Sequence, residues 1–383
     1  MKVLHILNGF GFGGAETWLL EIVKINHNKH QFDFLLTGGV KRELDDEFNS
    51  LGCKLHYVKF SGNRLFRFSR EIRMIIKQEK YDVIHDHEDF VAGWHWLFLL
   101  FRLPKKRICH AHNSMIYIRN YTNSPGRKLF YKTGKLLNAC LATQITGTSD
   151  QLMNELGYDR AIYRRKRIEA LYCGSEPKKF GYNEDIRRDA RNKLALDLAD
   201  KVIVFIGRIG LTRENEINHK NPQFAFDIAK KLVTEDRRFK FIFIGSKGSY
   251  GDALEAEALS LNMQNNIQFL GNRNDVNDIL TASDMMLFTS TLEPFGLVLV
   301  EAQFSSMHIL ASDIITKEIM IFPELFDLLN VKKMDIDEWI LKIRSFFASG
   351  FDRTSFSKEH KLLIANSAFS IESSYQRLIK HYQ

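Results

Sequence analysis

Short apolar runs alternate with amphipathic segments along nearly the whole chain. In the first half, strands are predicted at "VLHIL", "FDFLL", "LHYV", "DVIH" and "KRICHAH". In the second half, strands are predicted at "KVIVFIG", "FKFIFIG", "IQFLG", "MMLFTS" and "HILAS". Segments with helical spacing, such as "AETWLLEIVKI" and "NPQFAFDIAKKLV", stand between these runs. The alternation predicts an α/β protein whose parallel sheets are covered by helices on both faces.

The alternation is interrupted near the middle, where "LYCGSEPKKFGYNEDIRRDARNKL" brings Gly, Pro and charged residues. We therefore predict two doubly wound, Rossmann-like domains, residues 1–173 and 174–369, with a C-terminal helix at 370–383 packing back on the first. Ligands of open parallel sheets bind at the carboxyl ends of the strands. We expect the active site in a cleft across which the two domains face each other.

The formal net charge of +8 is concentrated in the first predicted domain, where residues 1–173 hold 27 Lys and Arg against 17 Asp and Glu. This excess predicts an anionic partner: a membrane surface, a nucleic acid or a phosphorylated substrate. The segment "NRLFRFSREIRMIIK" favours anionic lipid, because a basic stripe runs beside an apolar one. An ordinary surface helix is the alternative, and no nucleic-acid module accompanies the charge. The basic residues of the stripe are Arg64, Arg67, Arg70, Arg73 and Lys77.

The cysteines and the apolar runs indicate a compartment. Cys53, Cys109, Cys140 and Cys173 form no CxxC pair, so neither a structural zinc nor a disulfide framework is expected. The apolar run at the amino terminus is too short for a signal peptide. We expect a cytoplasmic protein, peripheral on the inner face of the cytoplasmic membrane.

The stretch "NGFGFGGAET" carries glycines with the spacing of a dinucleotide-binding turn, between a predicted strand and a predicted helix. A dinucleotide site also needs an acid at the end of the second strand, and Asp33 stands at its beginning. Free N–H groups and the helix dipole still favour an anion at such a turn. We predict that Gly13 and Gly14 bind phosphate; a tight turn without a ligand is the alternative.

An acidic pair lies in "STLEPFGLVLVEAQ", which places Glu293 and Glu301 eight residues apart across a loop-to-helix junction. Phe295, Gly296 and Leu297 offer N–H groups at the helix start, where phosphate or sugar oxygens bind well. Glu301 is embedded among apolar residues, where an unpaired carboxylate would be costly. The spacing therefore predicts a binding site for polar ligands rather than a solvated pair of glutamates.

The segment "HDHED", His85 to Asp89, has residue types that bind divalent metals. Adjacent residues of a strand rarely converge on one point, because successive side chains point to opposite faces. We expect a role in acceptor binding or loop hydrogen bonding, and no metal.

Several of these segments resemble one family. "EPFGLVLVEA" is similar to the E-x7-E signature of retaining, nucleotide-sugar-dependent glycosyltransferases of family 4, which have the two-domain GT-B fold. "GFGGAET" resembles their glycine loop, "VIVFIGRIG" the opening of their second domain, and "NIQFLGNRNDVNDILTASDMMLFTS" the segment before the signature. "RICHAHNS", "EAQ" and "SDIITKE" are similar to a bacterial subgroup that builds capsule, exopolysaccharide and O-antigen chains.

The resemblance implies residue roles in donor binding. Glu301 would bind the ribose of the nucleotide, and Glu293 would hold hydroxyls of the donor sugar. The N–H groups of residues 295–297 would bind both sugar and phosphate. Arg208 and Lys220 would neutralise the diphosphate, so that neither a metal nor any cofactor beyond the nucleotide-sugar is implied.

The resemblance also implies roles for the two domains and for His112. The first domain would bind the acceptor and the second the nucleotide-sugar. His112 would lie near the anomeric centre or the donor's hydroxymethyl group; a hydrogen-bonded histidine at a strand end is the alternative.

Three functions remain open at this point. The resemblance favours a retaining glycosyltransferase that moves a sugar from a UDP-sugar to a saccharide or lipid-linked saccharide in bacterial surface polysaccharide synthesis. A nucleotide-sugar epimerase or NAD-type oxidoreductase on a similar scaffold is the second, and a catalytically inert sugar-nucleotide binder is the third. Nucleotide release from a donor panel would separate the first from the third.

Overall fold

The computed structural model describes residues 1–27, 29–120, 124–158, 160, 163, 166–211 and 217–383. The chain divides into two compact units. Unit 1 comprises Met1–Ser175 together with Ile371–Gln383, and unit 2 comprises Glu176–Ser370.

The sheet of unit 1 has seven strands in the order β3-β2-β1-β4-β5-β6-β7, and every adjacent pair is parallel. Residues along the central strands are buried almost without alternation, as expected when helices cover both faces. The strands are β1 Lys2–Leu7, β2 Gln31–Leu36, β3 Leu55–Tyr57, β4 Val83–Asp86, β5 Lys106–Ala111, β6 Gln144–Gly147 and β7 Arg167–Ala170.

The helices of unit 1 bury apolar stripes against this sheet, around a core that includes Phe68, Trp96 and Tyr158. Helix α6 begins where Ser124 accepts a hydrogen bond from the Arg127 amide, with proline at the first helical position. The helices are α1 Gly14–Ile25, α2 Asp45–Ser50, α3 Leu65–Glu79, α4 Ala92–Phe98, α5 Met115–Asn120, α6 Pro125–Leu141, α7 Asp150–Glu155 and, from the carboxyl terminus, α16 Ile371–Tyr382.

The sheet of unit 2 has six parallel strands in the order β10-β9-β8-β11-β12-β13. Its core includes Phe226, Phe243 and Trp339, all fully buried. The strands are β8 Lys201–Ile206, β9 Phe239–Ile244, β10 Ile267–Gly271, β11 Met285–Phe288, β12 His308–Ser312 and β13 Phe326–Leu329.

The helices of unit 2 follow capping rules that can be read in the sequence. Asp335 accepts hydrogen bonds from two amides at the start of α14, which ends at Gly350 in the left-handed region. The helices are α8 Pro177–Phe180, α9 Glu184–Lys193, α10 Pro222–Glu235, α11 Gly248–Ser260, α12 Val276–Ala282, α13 Leu297–Phe304, α14 Ile336–Ser349 and α15 Arg353–Ala365.

The predicted fold class, two α/β Rossmann-like parallel sheets with helices, is confirmed. Three strands are absent from the predicted set. β6 ("QITG"), β7 ("RIEA") and β13 ("FDLL") have only four residues each, so their sequences carry little strand signal. All three are specified by their neighbours, since β6 lies between β5 and β7 and β13 pairs with β12.

Candidate functional site

In unit 2, the loops that follow β8 and β9 approach each other so closely that the second has no room for a side chain at Gly245. A Cβ at Gly245, whose φ is +137°, would lie 2.0 Å from the Gly207 carbonyl oxygen. A Cβ at Gly207 would lie 3.2 Å from the Lys220 side chain. These glycines allow the lysine to cross the carboxyl end of the sheet, where ligands of this fold class bind.

Lys220 and Glu293 form an ion pair at this edge. The Lys220 ammonium donates to Oε2 of Glu293, with side chains 30% and 10% exposed. The ammonium also lies 5.5 Å from the ring centroid of Phe288, the last residue of β11. Two predicted site residues that are 73 positions apart in sequence are therefore in direct contact.

Hydrogen bonds hold the backbone around this ion pair. The Thr289 hydroxyl donates to the carbonyls of Lys220 (3.1 Å) and Asn221 (2.9 Å), and the Thr291 amide donates to the His219 carbonyl at 2.7 Å. The Asn218 side chain donates to the Arg208 carbonyl at 3.0 Å. The segments carrying Arg208, Lys220 and Glu293 are thus tied together, although residues 212–216 between the first two lie outside the described residues.

Gly296 precedes α13 in the left-handed region, with φ +89° and ψ +56°. A Cβ there would lie 3.0 Å from Leu299 and 3.3 Å from Glu293, so a side chain would disturb both the helix start and the acidic loop. Phe295 is buried, Leu297 opens the helix, and Glu301 lies half-buried in its second turn.

In unit 1, the glycine turn leads into α1 as predicted from its spacing. Gly13 is the N-cap, with an extended backbone and no side-chain cap. A Cβ at Gly13 would lie 2.2 Å from a carboxylate oxygen of Glu16, so that carboxylate lies against the turn. Burial raises the pKa of Glu16. An acid therefore lies where Gly13 and Gly14 were predicted to bind phosphate.

The position of Asp33 in the fold disfavours a dinucleotide site. Asp33 is fully buried near the start of β2, where it accepts hydrogen bonds from the Tyr81 hydroxyl (2.9 Å) and the Lys54 amide (3.2 Å). It is engaged within the fold, far along the strand from the edge where a ribose would bind.

Histidines from three adjacent strands gather on one face of the unit 1 sheet. His5 lies on β1, and two H-x-H pairs lie at the ends of β4 and β5. Because side chains two residues apart share a face, each pair presents both rings to the same side. Neighbouring ring centroids are 4.1–5.3 Å apart, as between His85 and His87 (4.3 Å) and between His110 and His112 (4.1 Å).

Hydrogen-bond contacts join most of these rings into a chain, which we call the histidine chain. His112 Nε2 lies 2.9 Å from His87 Nδ1, and His87 Nε2 lies 3.0 Å from His5 Nδ1. His5 Nε2 lies 3.4 Å from the Tyr382 hydroxyl, which lies 2.8 Å from His85 Nδ1. His112 is half-buried and the other members of the chain are buried.

Burial keeps these histidines neutral. It lowers the pKa of His5 to about 3 and that of His112 to about 4. The pKa values of His85, His87 and His110 fall well below the usual range, by burial first and by the neighbouring histidines second.

The acids of "HDHED" bind protein groups. Burial lowers the pKa of His95, but the Asp86 carboxylate, 2.7 Å from His95 Nδ1, outweighs it and raises that pKa. Glu88 accepts a hydrogen bond from the Thr37 hydroxyl, and burial raises its pKa to about 7. These contacts are of the loop hydrogen-bonding kind that the sequence favoured.

Asp89 holds the loop after β5. Its carboxylate accepts hydrogen bonds from the His112 amide (2.8 Å) and from the amide (3.1 Å) and side chain (2.7 Å) of Asn113. Burial outweighs these bonds and raises the pKa of Asp89 to about 6. Its φ of +49° is unusual for a residue with a side chain, which marks a strained position. Asp89 thus positions His112.

The convergence of His85 and His87 was not expected. Two sets of ring nitrogens lie within 4.8 Å of one another, His5 with His85 and His87, and His87 with His110 and His112. Imidazoles are suitable ligands for zinc, copper or nickel. Within the histidine chain, however, the closest nitrogens are hydrogen-bonding distance apart and act as partners for each other.

The basic stripe lies on α3 and on Arg64, its N-cap residue, with all five Arg and Lys residues exposed. The apolar residues Phe68, Ile72 and Ile76 are buried in the core, so this part of the apolar stripe is not available to lipid. Phe66, 86% exposed, and Met74, 50% exposed, remain on the outer surface beside the cations. No helix among the described residues combines the length and apolar character needed to cross a membrane.

His5, Tyr382 and Asn218 were not among the predicted site residues. The histidine within the apolar run "KVLHIL" and the two H-x-H spacings were available signals, since together they predict one histidine-rich face. Tyr382 carried no such signal, because its place beside His85 depends on α16 returning to unit 1 from the far end of the chain.

Both halves of the chain match known family descriptions. Residues 12–179 match "Glycosyltransferase Family 4", and residues 186–362 match "Glycosyl transferases group 1". The chain is 28% identical over 361 residues to "Putative glycosyltransferase EpsF" of Bacillus subtilis (strain 168), covering 94% of this chain and 91% of that protein.

Two further relatives have informative names. Identity is 25% over 316 residues, 82% of each chain, to "Capsular polysaccharide biosynthesis glycosyltransferase CapH" of Staphylococcus aureus. It is 24% over 350 residues to "UDP-Gal:alpha-D-GlcNAc-diphosphoundecaprenol alpha-1,3-galactosyltransferase" of Escherichia coli, covering 89% of this chain and 86% of that protein.

Among solved structures, Anabaena Alr3699/HepE in complex with UDP superposes with a TM-score of 0.77 at 17% identity, covering 99% of both chains. WaaG, a glycosyltransferase involved in lipopolysaccharide biosynthesis, gives a TM-score of 0.74 at 14% identity over 98% of this chain and 99% of that one. These likenesses confirm the predicted GT-B fold.

Proposed function

This chain belongs to glycosyltransferase family 4, and on that premise we propose that it moves a sugar from a UDP-sugar to a saccharide or lipid-linked saccharide in bacterial surface polysaccharide synthesis. The names of the Staphylococcus and Escherichia relatives support the pathway, the uridine nucleotide and the lipid-linked acceptor. Unit 2 would bind the nucleotide-sugar and unit 1 the acceptor.

The ion pair between Lys220 and Glu293 carries this proposal. It puts a cation and a hydroxyl-binding carboxylate beside the start of α13, at the carboxyl end of a parallel sheet. An ammonium has three N–H donors, so Lys220 can hold Glu293 and still donate to a phosphate. With Arg208 it would neutralise the diphosphate, while Glu293 and the N–H groups of residues 295–297 bind the donor sugar.

Two further contacts would complete donor binding. Glu301 would accept hydrogen bonds from the ribose hydroxyls. Gly13 and Gly14 would donate N–H groups to phosphate at the start of α1, provided the Glu16 carboxylate is protonated or turns away. Desolvation raises the pKa of the half-buried Glu16, which lowers the cost of protonating it when an anion binds beside it.

The reaction we propose retains the donor configuration without a covalent intermediate. The acceptor oxygen bonds to the anomeric carbon as the bond from that carbon to the diphosphate oxygen breaks, and the acceptor proton passes to the departing diphosphate on the same face. Glu293 is the candidate nucleophile for the alternative double displacement, but Lys220 engages one of its carboxylate oxygens and the role proposed for it is to bind hydroxyls of the donor sugar. His112 would lie near the anomeric centre and orient the donor.

The test is a donor panel of UDP-, GDP- and dTDP-sugars with an N-acetylglucosaminyl diphosphate lipid as acceptor, followed as nucleotide release in excess chelator. We expect a UDP-sugar to be consumed at the same rate with and without chelator, because Arg208 and Lys220 take the place of a metal. NMR of the product should show an α-linkage.

A β-linked product would contradict retention, and loss of activity restored by a divalent ion would contradict metal independence. A nucleotide-sugar whose sugar changes without nucleotide release would instead indicate an epimerase. Donor binding with no turnover of any donor would indicate an inert binder.

A further inference from the structure

The histidine chain has a property that follows from counting its protons. A neutral imidazole carries one N–H and one lone pair, so it can donate at one ring nitrogen and accept at the other. His87 and His5 each use both nitrogens within the chain. Once the donor of one hydrogen bond, or link, in the chain is chosen, the donor of every other link is fixed.

Only two continuous arrangements satisfy the links. If His112 donates from Nε2, then His87 and His5 also donate from Nε2, and Tyr382 receives the last of these bonds and donates to His85 Nδ1. If His85 donates from Nδ1 to Tyr382, the tyrosine donates to His5 Nε2. His5 then donates from Nδ1 to His87, and His87 donates from Nδ1 to His112. In either case His5, His87 and His112 carry their protons on the same type of ring nitrogen.

Burial makes these arrangements the relevant ones. The rings are neutral, and a buried N–H or lone pair without a partner costs roughly 1–3 kcal/mol. An arrangement in which two lone pairs or two N–H groups face each other would lose one hydrogen bond of the chain. The four contacts therefore behave as one unit.

We propose that Tyr382, on the carboxyl-terminal helix, is coupled through His5 and His87 to His112, so that the direction in which the Tyr382 hydroxyl donates and the ring nitrogen of His112 that bears the proton change together. Tyr382 is thereby a positioning residue for His112. The coupling of protons does not depend on the proposed function, but its effect on catalysis does. A ring nitrogen of His112 that donates would hold a sugar hydroxyl or phosphate oxygen of the donor differently from one that accepts.

Protein labelled with ¹⁵N-histidine tests the proposal directly, with ring signals assigned from single His-to-Gln variants. In the wild type we expect His5, His87 and His112 each to show one tautomer, the same in all three. In Tyr382→Phe, which removes the hydroxyl, we expect the three signals to change together, because the links among the three histidines remain.

Tyr375→Phe is the matched control. It removes a buried hydroxyl from the same helix, one that donates to Asn26 Oδ1 at 3.0 Å rather than to the histidine chain. We expect it to leave all three tautomers unchanged. Different tautomers among the three histidines in the wild type, or an unchanged His112 in Tyr382→Phe, would overturn the proposal. So would a stoichiometric transition metal that survives dialysis, because ligation would replace the links.

Turnover separates this inference from the function on which it depends. We expect Tyr382→Phe to lower kcat about three- to tenfold, the effect of one hydrogen bond, with the donor KM unchanged. A changed tautomer with unchanged kcat would remove His112 from the reaction centre and leave the proton coupling intact. A lower kcat with an unchanged tautomer would overturn the role of Tyr382.

Discussion

The two sheets end in different kinds of polar group. In unit 1 the carboxyl ends of the central strands carry stacked, neutral histidines that bond to one another, whereas in unit 2 they carry an ion pair between a 30%-exposed lysine and a 10%-exposed glutamate. A buried neutral network is directional but uncharged, so it can orient a group. A partly exposed ion pair keeps the charge needed to bind a diphosphate. We infer that the histidines of unit 1 orient a bound group and that the ion pair of unit 2 supplies charge for binding the diphosphate.

Lowering the pH should produce the largest difference in stability between the two units. An exposed histidine has a pKa of about 6.5, and the lowered pKa of each buried histidine keeps it neutral in the folded state. Below pH 6.5 the unfolded chain therefore takes up protons that the folded chain does not, which costs unit 1 up to about 1.4 kcal/mol per histidine per pH unit. Four groups with raised pKa values act in the opposite direction but are outnumbered by the five clustered histidines: Glu16, Glu88, Asp89 and His95.

Hydrogen exchange at pH 7.5 and pH 5.5, corrected for intrinsic rates, measures this difference. Peptides from β1 and β4 should lose protection at the lower pH before peptides from β8 and β11 do. Earlier opening of the unit 2 peptides would contradict the distinction between the two regions.

Removal of the charge in unit 2 should have the next largest effect. In Lys220→Met the diphosphate loses a cation and Glu293 loses its partner, so we expect kcat to fall about 10²- to 10³-fold. Lys230→Met is the control, since Lys230 is 27% exposed and likewise paired with acids, Asp227 and Glu257, on the helical surface. The control should stay within twofold of wild type. A kcat for Lys220→Met within threefold of wild type would remove the lysine from the site.

The excess positive charge of unit 1 should bind anionic lipid. Each basic residue near such a surface contributes about 1 kcal/mol, so reversing Arg64, Arg67 and Arg73 to glutamate should abolish flotation with phosphatidylserine vesicles. Wild-type binding should weaken as the salt concentration rises, because the screening length falls to about 10 Å at 0.1 M salt.

A matched reversal in unit 2 is available at Lys332, Lys358 and Lys361, which are exposed and change the net charge equally. That variant should bind like the wild type. Equal binding of the wild type to neutral and anionic vesicles would mean that α3 is an ordinary surface helix.

The two glutamates of unit 2 should differ in what they control. Glu301→Ala should weaken UDP binding about 10- to 150-fold, the loss of one charged hydrogen bond of about 1.5–3 kcal/mol, measured by calorimetry. Glu293→Ala should lower turnover and leave UDP affinity nearly unchanged, because its proposed partner is the sugar. Wild-type UDP affinity in Glu301→Ala would contradict the ribose assignment.

Much of the fold was determined by the sequence alone. Buried strands such as "KVIVFIG" and "FKFIFIG" carry runs of five and four consecutive apolar residues and stand between helices with 3.6-residue spacing, and this alternation admits a parallel sheet and little else. The glycine turn and the αL position at Gly296 are likewise local, since each depends on a glycine in the sequence next to a helix start.

What the tertiary structure decided are the contacts between distant segments. The sequence named Lys220 and Glu293 separately, but their ion pair depends on two loops meeting at one sheet edge. Periodicity places His85 and His87 on one face, yet the partners that complete their hydrogen bonds come from β1, β5 and a helix almost 300 residues away. Local pattern fixes which face a side chain occupies, whereas long-range packing alone decides which groups meet there, since hydrogen bonds and ion pairs form between atoms a few ångströms apart.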